Sequence, residues 1–312
     1  MGKVLLVAGG GTLGTYVTEE MISRGVHVDV ICLEDYESSN MVTYYKEKVT
    51  YEYISEFLEG KQYAAIVDFL HYVEINDYEK VYNLYSEHTK QIVLLSSYRV
   101  YADGEHPIVE ESPTWFDVDA DKEFLETEDY ALPKLRCEAF LKSCPRKNWT
   151  IVRPVISFSD KRFDLFMYSG STIISKVQNK EKIILPRDIR NIVAGVDWAG
   201  NSGKLIAKLL MNEKAMGETF TISSAPNITW GELADIYHEV LGADIEWGSM
   251  DDFIKYGPDM RWNRWGLKYD RLLERSVDAS KVMNATGTKK EDFKPIKEAL
   301  IYEVQKSNSA SQ

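Results

Sequence analysis

The sequence predicts a doubly wound α/β fold, in which helices cover both faces of a parallel sheet, with a smaller and mostly helical region towards the C-terminus. Two observations support this class. Short runs of branched apolar residues alternate with segments of helical periodicity through the first two thirds of the chain. A glycine-rich turn also follows the first apolar run, between a predicted buried strand and a predicted helix.

The composition narrows the possible classes of protein. Of the 312 residues, 44% are hydrophobic and 12% are aromatic, which is ample for a sizeable core. The formal charge of −12 disfavours nucleic acid and anionic membranes as partners. The 3 cysteines have no C-x-x-C spacing, so we expect neither a disulfide framework nor a metal site. No signal peptide or membrane span is recognisable, and we expect a cytoplasmic protein.

The first strand is predicted over Val4 to Val7, followed by a helix over Tyr16 to Ser23 and a second strand over Val26 to Leu33. The turn between the first strand and the helix has the pattern G-x-G-x-x-G. Its glycines permit a sharp turn, leave room for a diphosphate and let the helix approach closely, while the helix N-terminus attracts phosphate. The residues predicted to contact a dinucleotide here are Gly9, Gly11, Thr12, Leu13 and Gly14. A glycine turn without a ligand is the alternative.

The tip of the second strand bears on the choice of cofactor. A carboxylate at that tip binds the ribose of NAD, but here the tip is Cys32 and the acids follow later, at Glu34 and Asp35. The neighbouring sequence offers no basic residue for a 2′-phosphate. NAD is therefore favoured, NADP is not excluded, and a solvated loop beginning at Glu34 is the alternative.

The alternation continues with a short strand and helix over Tyr51 to Leu58, a strand over Tyr63 to Leu70, a helix over Ile75 to Glu87 and a strand over Gln91 to Ser96. Asp68 interrupts the strand over Tyr63 to Leu70 near its end. We predict that Asp68 and Phe69 face the cofactor, with a capping role for Asp68 as the alternative.

Side chains suited to acid–base chemistry follow. Ser97 lies at the end of a predicted strand, where ligands bind in open α/β sheets. Tyr130 and Lys134 are spaced to lie side by side at the start of a helix, where Pro133 is tolerated because first-turn amides lack helical partners. An ammonium beside a phenol stabilises the phenolate, so Tyr130 is a candidate general acid/base. A surface Tyr–Lys pair is the alternative.

Together these features resemble the extended short-chain dehydrogenase/reductases, and more narrowly the NAD-dependent epimerases and dehydratases of nucleotide sugars. The resemblance rests on the glycine turn, on the strand-end Ser-Ser-x-x-Val-Tyr containing Ser97, and on Tyr130-x-x-x-Lys134. Further similar stretches extend it over essentially residues 3 to 304, and they are WTIVRP at 149–154, VDWA at 196–199 and DASK at 278–281.

The resemblance implies an NAD(P)-dependent epimerase, dehydratase or reductase in which Ser97, Tyr130 and Lys134 are catalytic. Lys134 would also hold the nicotinamide ribose, and Arg153 would contact the cofactor. The implied organisation is a Rossmann-type domain over 1–157 and 188–225, a substrate-binding region over 158–187 and 226–306, and a flexible tail over 307–312. A homodimer is also implied. The family has a further glycine where this chain has Ala8, which we expect to keep a negative φ.

Substrate phosphates require basic residues, and the candidates are Arg187, Arg190, Arg264 and Arg271. Surface salt bridges are the alternative for each of them. Trp262 and Trp265, beside Arg261 and Arg264, are predicted either to stack on a base or sugar or to pack between the domains. Two other functions remain open, a non-catalytic dinucleotide sensor or RNA-associated relative, and a reductase of another small carbonyl compound.

Overall fold

The computed structural model of the protein describes residues 2–127, 129–258 and 264–310. The strands in this part of the chain are β1 (Val4–Val7), β2 (Val28–Cys32), β3 (Val42–Lys46), β4 (Ala65–Asp68), β5 (Ile92–Leu95), β6 (Trp149–Pro154), β7 (Ile156–Phe158), β8 (Ile183–Pro186), β9 (Val196–Trp198), β10 (Glu218–Ile222) and β11 (Ile245–Gly248). The helices are α1 (Thr12–Ser23), α2 (Tyr51–Leu58), α3 (Ile75–His88), α4 (Lys122–Leu125), α5 (Ala131–Ser143), α6 (Gly170–Asn179), α7 (Ala199–Leu209), α8 (Trp230–Leu241), α9 (Met250–Tyr256), α10 (Arg264–Gly266), α11 (Ser280–Thr286) and α12 (Ile296–Ala310).

The main sheet has seven parallel strands in the order β10-β6-β5-β4-β1-β2-β3. The chain builds outward from β1 in both directions, so the strand order reverses beside β1 and β4. A ligand crevice forms at the carboxyl ends of the strands where such a reversal occurs. The predicted doubly wound parallel sheet is therefore confirmed, and its topology fixes where a site can lie.

The sequence of β1 explains how both faces of the sheet are covered. Successive side chains of a strand point to opposite faces. Val4 and Leu6 pack with residues of α1 and α7, whereas Leu5 and Val7 pack with residues of α2, α3 and α5. All four side chains are buried, which is why this strand is uniformly apolar.

The structure differs from the sequence-based prediction at the edge of the sheet. The edge strand β3 was not predicted, because its sequence VTYYK is only half-buried and carries a weak apolar signal. Residues 51–58 form only a helix, whose N-cap Thr50 accepts a hydrogen bond from the amide of Tyr53. The short strand predicted there is wrong. Helix α1 begins at Thr12, directly after the glycine turn and earlier than expected.

A second group of elements lies outside the main sheet. Strands β8 and β11 pair with each other, and β7 pairs with β9. Helix α8 begins with a capping box between Thr229 and Glu232, and its Trp230 is buried in an aromatic core with Tyr168 and Phe253. No helix in the described residues is long and apolar enough to cross a membrane. The boundaries of the two predicted regions stay a prediction.

A buried ion pair joins α5 to the centre of the sheet. The guanidinium of Arg153 on β6 donates to both oxygens of Glu138 on α5, at 3.0 and 2.5 Å, and each side chain is 1% exposed. The hydroxyl of Ser96 donates to the same carboxylate at 2.5 Å. Burial raises the pKa of Glu138, but the attraction of Arg153 and Lys142 and the hydrogen bonds from Arg153 and Ser96 together lower it below its usual value. This network fixes the end of β5 against α5.

We predict that Glu138→Ala lowers the free energy of unfolding by about 3–5 kcal/mol, because it leaves the Arg153 charge buried without a partner. Lys142, which is 48% exposed and also contacts Glu138, is the control, and Lys142→Ala should cost less than about 1 kcal/mol. Urea unfolding measures both. Since the pKa of Glu138 is lower in the folded state, its contribution is present at neutral pH and disappears as the pH falls below about 4. Equal losses for the two variants would contradict this account.

Candidate active site

A cleft of about 520 Å³ opens at the carboxyl ends of β1, β4 and β5. The predicted site residues that line it are Gly11, Thr12, Leu13, Gly14, Phe69, Ser97, Tyr130 and Arg271. The fold therefore brings the glycine turn, which follows β1, to the same cavity as side chains that lie far along the chain. A larger cavity of about 1360 Å³, between α1, α7, α8 and α12, contains none of the predicted site residues.

The glycine turn is shaped by close contacts on one side and open space on the other. A Cβ on Gly14 would lie 2.1 Å from the carbonyl oxygen of Gly9, and a Cβ on Gly9 would lie 2.7 Å from the Cβ of Leu6. These glycines let α1 and β1 approach closely. A Cβ on Gly11 would meet no atom within 4 Å, and no side chain caps the N-terminus of α1. The open side with its free helix amides fits a diphosphate.

The backbone conformation of Ala8 differs from the one predicted from the sequence, which had a negative φ. The φ of Ala8 is +56°, in the left-handed region. Gly9, the glycine assigned to the sharp turn, does not have a positive φ. The left-handed residue is therefore the alanine itself, which carries the strain that a glycine would avoid.

Glu34 reaches the turn although it lies beyond the tip of β2. Its Oε2 would be 2.0 Å from a Cβ on Gly10, so the carboxylate lies directly against that residue. Asp35, in contrast, forms an exposed ion pair with Lys46 at 2.7 Å. Of these two acids, Glu34 is thus the one placed beside the predicted cofactor turn.

Ser97 lies where β5 ends, and its side chain is nearly buried at 6% exposure. Its Oγ accepts a hydrogen bond from the amide of Arg99, which begins a short 3₁₀ turn at Tyr98. Because that bond uses a lone pair of the oxygen, the hydroxyl proton stays available for a ligand in the cleft.

Tyr130 and Lys134 lie together at the start of α5. Tyr130 has helical φ and ψ of −43° and −33° and directly precedes the helix, so Pro133 falls in the first turn, as expected. The Nζ of Lys134 lies 5.0 Å from the centre of the Tyr130 ring and donates to the carbonyl oxygen of Leu95. Lys134 is 3% exposed and Tyr130 is 38% exposed. The lysine is therefore held behind a phenol that faces the cleft.

His71 also contacts the tyrosine, and sequence reasoning missed it. Its ring stacks on that of Tyr130 with the centres 5.1 Å apart and an interplanar angle of 20°. Partial burial and the nearby ammonium of Lys134 lower the pKa of His71, so the ring is neutral at neutral pH. The stacking restricts the orientation of the phenol. No sequence motif links His71 to Tyr130, because the two meet only through the packing of the loop after β4.

The cleft is lined by cationic side chains. Arg99, Arg162 and Arg271 contribute to its wall, and no carboxylate does so among the described residues. Behind the wall, the buried carboxylate of Asp270 pairs with Arg99 and Arg271. Burial raises the pKa of Asp270, but its arginine partners lower it more, so it stays charged. Arg99 and Arg162 were not predicted, although the position of Arg99 just after a strand end is a usable signal.

Two predicted cofactor contacts lie elsewhere. Asp68 is fully buried and accepts hydrogen bonds from the amide of Leu70 at 2.9 Å and the hydroxyl of Tyr72 at 2.6 Å. It therefore organises the loop after β4, but it is not the helix cap of the alternative, because the N-cap of α3 is Glu74. Arg153 is occupied by its buried pair with Glu138 and does not line the cleft. Neither side chain lines the cleft, and their contacts with a cofactor stay predictions.

The four arginines predicted to bind substrate also differ in whether they line the cleft. Of the four, only Arg271 lines the cleft. Arg187 donates to the carbonyl oxygen of Gly248, Arg190 lies over the Trp247 ring, and Arg264 pairs with Glu123. Trp265 stacks on Tyr269 and packs beside Phe124, which is the packing alternative. Arg261 and Trp262 lie outside the described residues.

Comparison with known proteins identifies the fold. No family model matches the sequence, and no curated protein matches it either. Epimerase Mth375 from Methanothermobacter thermautotrophicus has a TM-score of 0.71 at 14% identity, over 99% of this chain and 93% of that chain. UDP-glucose-4-epimerase from Stenotrophomonas maltophila, with bound NAD and formylated UDP-arabinopyranose, has a TM-score of 0.72 at 12% identity. The match covers 100% of this chain and 99% of that chain. The Bordetella bronchiseptica enzyme WbmG, in complex with NAD and UDP, has a TM-score of 0.69 at 16% identity. The match covers 99% of this chain and 94% of that chain.

These similarities extend over nearly the whole length of both chains in each comparison. At 12–16% identity they establish the fold. The chain has the Rossmann-type α/β fold of these proteins, so the expected resemblance is confirmed at the level of the fold. The roles of the individual site residues stay predictions.

We predict that Ala8→Gly raises the free energy of unfolding by about 0.5–1 kcal/mol, because glycine adopts the left-handed conformation without strain. Ala285→Gly, at a half-buried position inside α11, is the matched control, and it should lower stability by about 0.5–1 kcal/mol. Thermal and urea unfolding measure both variants. Destabilisation by Ala8→Gly would show that the alanine is not strained.

Proposed function

We propose that the protein is an NAD-dependent enzyme of the short-chain dehydrogenase type that acts on a nucleotide sugar as an epimerase, dehydratase or reductase. The observation that carries this proposal is the convergence of three features in one cleft. These are an open glycine turn, a pair of hydroxyl groups from Ser97 and Tyr130, and a wall of arginines without a carboxylate among the described residues. Neighbours with the same fold that hold NAD with UDP or a UDP-sugar support the same substrate class.

The cofactor part of the cleft fits a dinucleotide. The amides at the start of α1 would bind the diphosphate beside Gly11, and Glu34 would accept a hydrogen bond from the adenosine ribose. A carboxylate at that position repels a 2′-phosphate, which favours NAD over NADP. When bound, the nicotinamide supplies the hydride acceptor and donor.

The protein residues would move the proton that accompanies the hydride. Tyr130 takes the proton from a substrate hydroxyl, or returns it to a carbonyl, through its phenolic oxygen. The ammonium of Lys134 stabilises the phenolate, and its bond to the Leu95 carbonyl holds it in place. The hydroxyl of Ser97 donates to the same substrate oxygen, and stacking on His71 keeps the phenol oriented.

The arginine wall would bind the phosphates of the substrate. A guanidinium binds phosphate through two parallel hydrogen bonds, and a cationic cleft in an acidic protein attracts anions selectively. Arg99 and Arg271 share the buried Asp270, which fixes their positions before a ligand arrives. We also propose a homodimer, which size-exclusion chromatography with light scattering would test.

We predict that Tyr130→Phe reduces turnover at least about 100-fold while NAD affinity is unchanged, because only the proton-transferring oxygen is removed. Turnover is measured on a panel of nucleotide sugars, and NAD binding by calorimetry. Tyr256→Phe, at an exposed tyrosine of α9, is the matched control and should retain full activity. Normal turnover by Tyr130→Phe would refute the mechanism.

We predict that Arg99→Gln weakens UDP binding about tenfold or more, because a charged hydrogen bond to phosphate is lost. Arg264→Gln is the control, since Arg264 pairs with Glu123 outside the cleft and should not affect UDP affinity. Titration calorimetry with UDP tests both variants. Equal affinities for Arg99→Gln and the wild type would mean that the nucleotide binds elsewhere.

A further inference from the structure

A short hairpin that follows β7 lies against the glycine turn. Ser159 and Arg162 exchange backbone hydrogen bonds at 3.1 and 2.9 Å, which leaves Lys161 near the tip. The Nζ of Lys161 donates to the carbonyl oxygen of Gly10 at 2.8 Å, to Thr15 Oγ1 at 2.8 Å and to the hydroxyl of Tyr36 at 2.6 Å. A lysine from far along the chain thus contacts the turn, α1 and the loop after β2.

The charge of Lys161 is not compensated by a carboxylate partner within the described part of the chain, because its hydrogen-bond acceptors are all neutral oxygens. The ammonium also lies at the N-terminal end of α1, where the helix dipole is positive. The ammonium and the amides at the start of α1 therefore both lie where they would attract a phosphate bound at the turn.

The hairpin is held in place by the C-terminal helix α12. The fully buried carboxylate of Glu303 accepts a hydrogen bond from the amide of Asp160 at 2.8 Å. The same carboxylate accepts from the hydroxyl of Tyr16 on α1 and from the indole of Trp198. Glu303 therefore connects the residue before Lys161 to the helix that follows the glycine turn, and it fixes the distance between hairpin and turn.

We propose that Lys161 binds the diphosphate of the dinucleotide cofactor, and that Glu303 is the positioning residue that holds the hairpin over the turn. This inference rests on the proposed function. The carbonyl that Lys161 contacts belongs to Gly10, next to the open position at Gly11 where the diphosphate is expected. Glu34 lies against the Cα of the same Gly10 and would bind the ribose, so the turn is flanked by one acid and one base with separate tasks.

The test measures NAD and NADP affinities by titration calorimetry for the wild type and for Lys161→Gln, Lys161→Arg and Lys182→Gln. Lys161→Gln should weaken the binding of both dinucleotides about 10- to 100-fold, since the positive charge beside the diphosphate is lost. Lys161→Arg should retain most of the affinity. Lys182, an exposed lysine paired with Glu246, is the matched control and should have no effect. The loss should shrink at high salt.

Each other outcome overturns a defined part of the proposal. Unchanged affinity in Lys161→Gln overturns the role of Lys161 and leaves the proposed function intact. A loss for NADP alone assigns Lys161 to the 2′-phosphate and overturns its assignment to the diphosphate. Failure of the wild type to bind either dinucleotide overturns the proposed function together with this inference.

Glu303→Gln tests the positioning role. It should weaken NAD binding, and the double variant with Lys161→Gln should be no weaker than Lys161→Gln alone, because both changes remove the same contact. Additive losses would overturn the positioning role. Thermal unfolding of each variant in the absence of NAD shows whether the fold is intact, and Lys161→Gln, at an exposed residue, should melt like the wild type.

Discussion

The buried ion pair between Glu138 and Arg153 is the contact on which the geometry of the cleft depends. It joins α5 to β6, and through Ser96 it also holds the end of β5. Ser97 follows immediately on that strand end, and Lys134 lies one turn before Glu138 on the helix. Because two charges are removed from water, loss of either partner would leave the other charge buried and unpaired. The positions of the hydroxyl and of the lysine are thereby coupled.

Charge is distributed unevenly in this acidic protein. The net charge of −12 would repel an anionic ligand from most of the surface. At the cleft, however, buried Asp270 concentrates arginines around itself, and some of them turn towards the cavity. One buried carboxylate thus holds two of the three arginines of the cleft wall, and the third, Arg162, pairs with Asp164. The local arrangement of charges, and not the average, decides which ligand the cleft can bind.

Contacts between distant segments also shape the end of the cleft at the glycine turn. Helix α12 packs on α1 and holds the hairpin that carries Lys161, so the last helix of the chain supports the first turn. The glycine turn is itself held open on one side and closed on the other by backbone packing. Binding of a dinucleotide would therefore engage both ends of the chain at once.

The sequence by itself determined the features that depend on local pattern. Apolar runs located β1 and β5, glycine spacing located the turn between β1 and α1, and the i, i+4 spacing placed Lys134 beside Tyr130, since each of these follows from the geometry of one element. Only the tertiary structure determines which groups the charged side chains contact. Arg153 pairs with the buried carboxylate of Glu138, and Lys161 contacts the glycine turn. Such contacts join residues far apart in the chain, and no local periodicity records them.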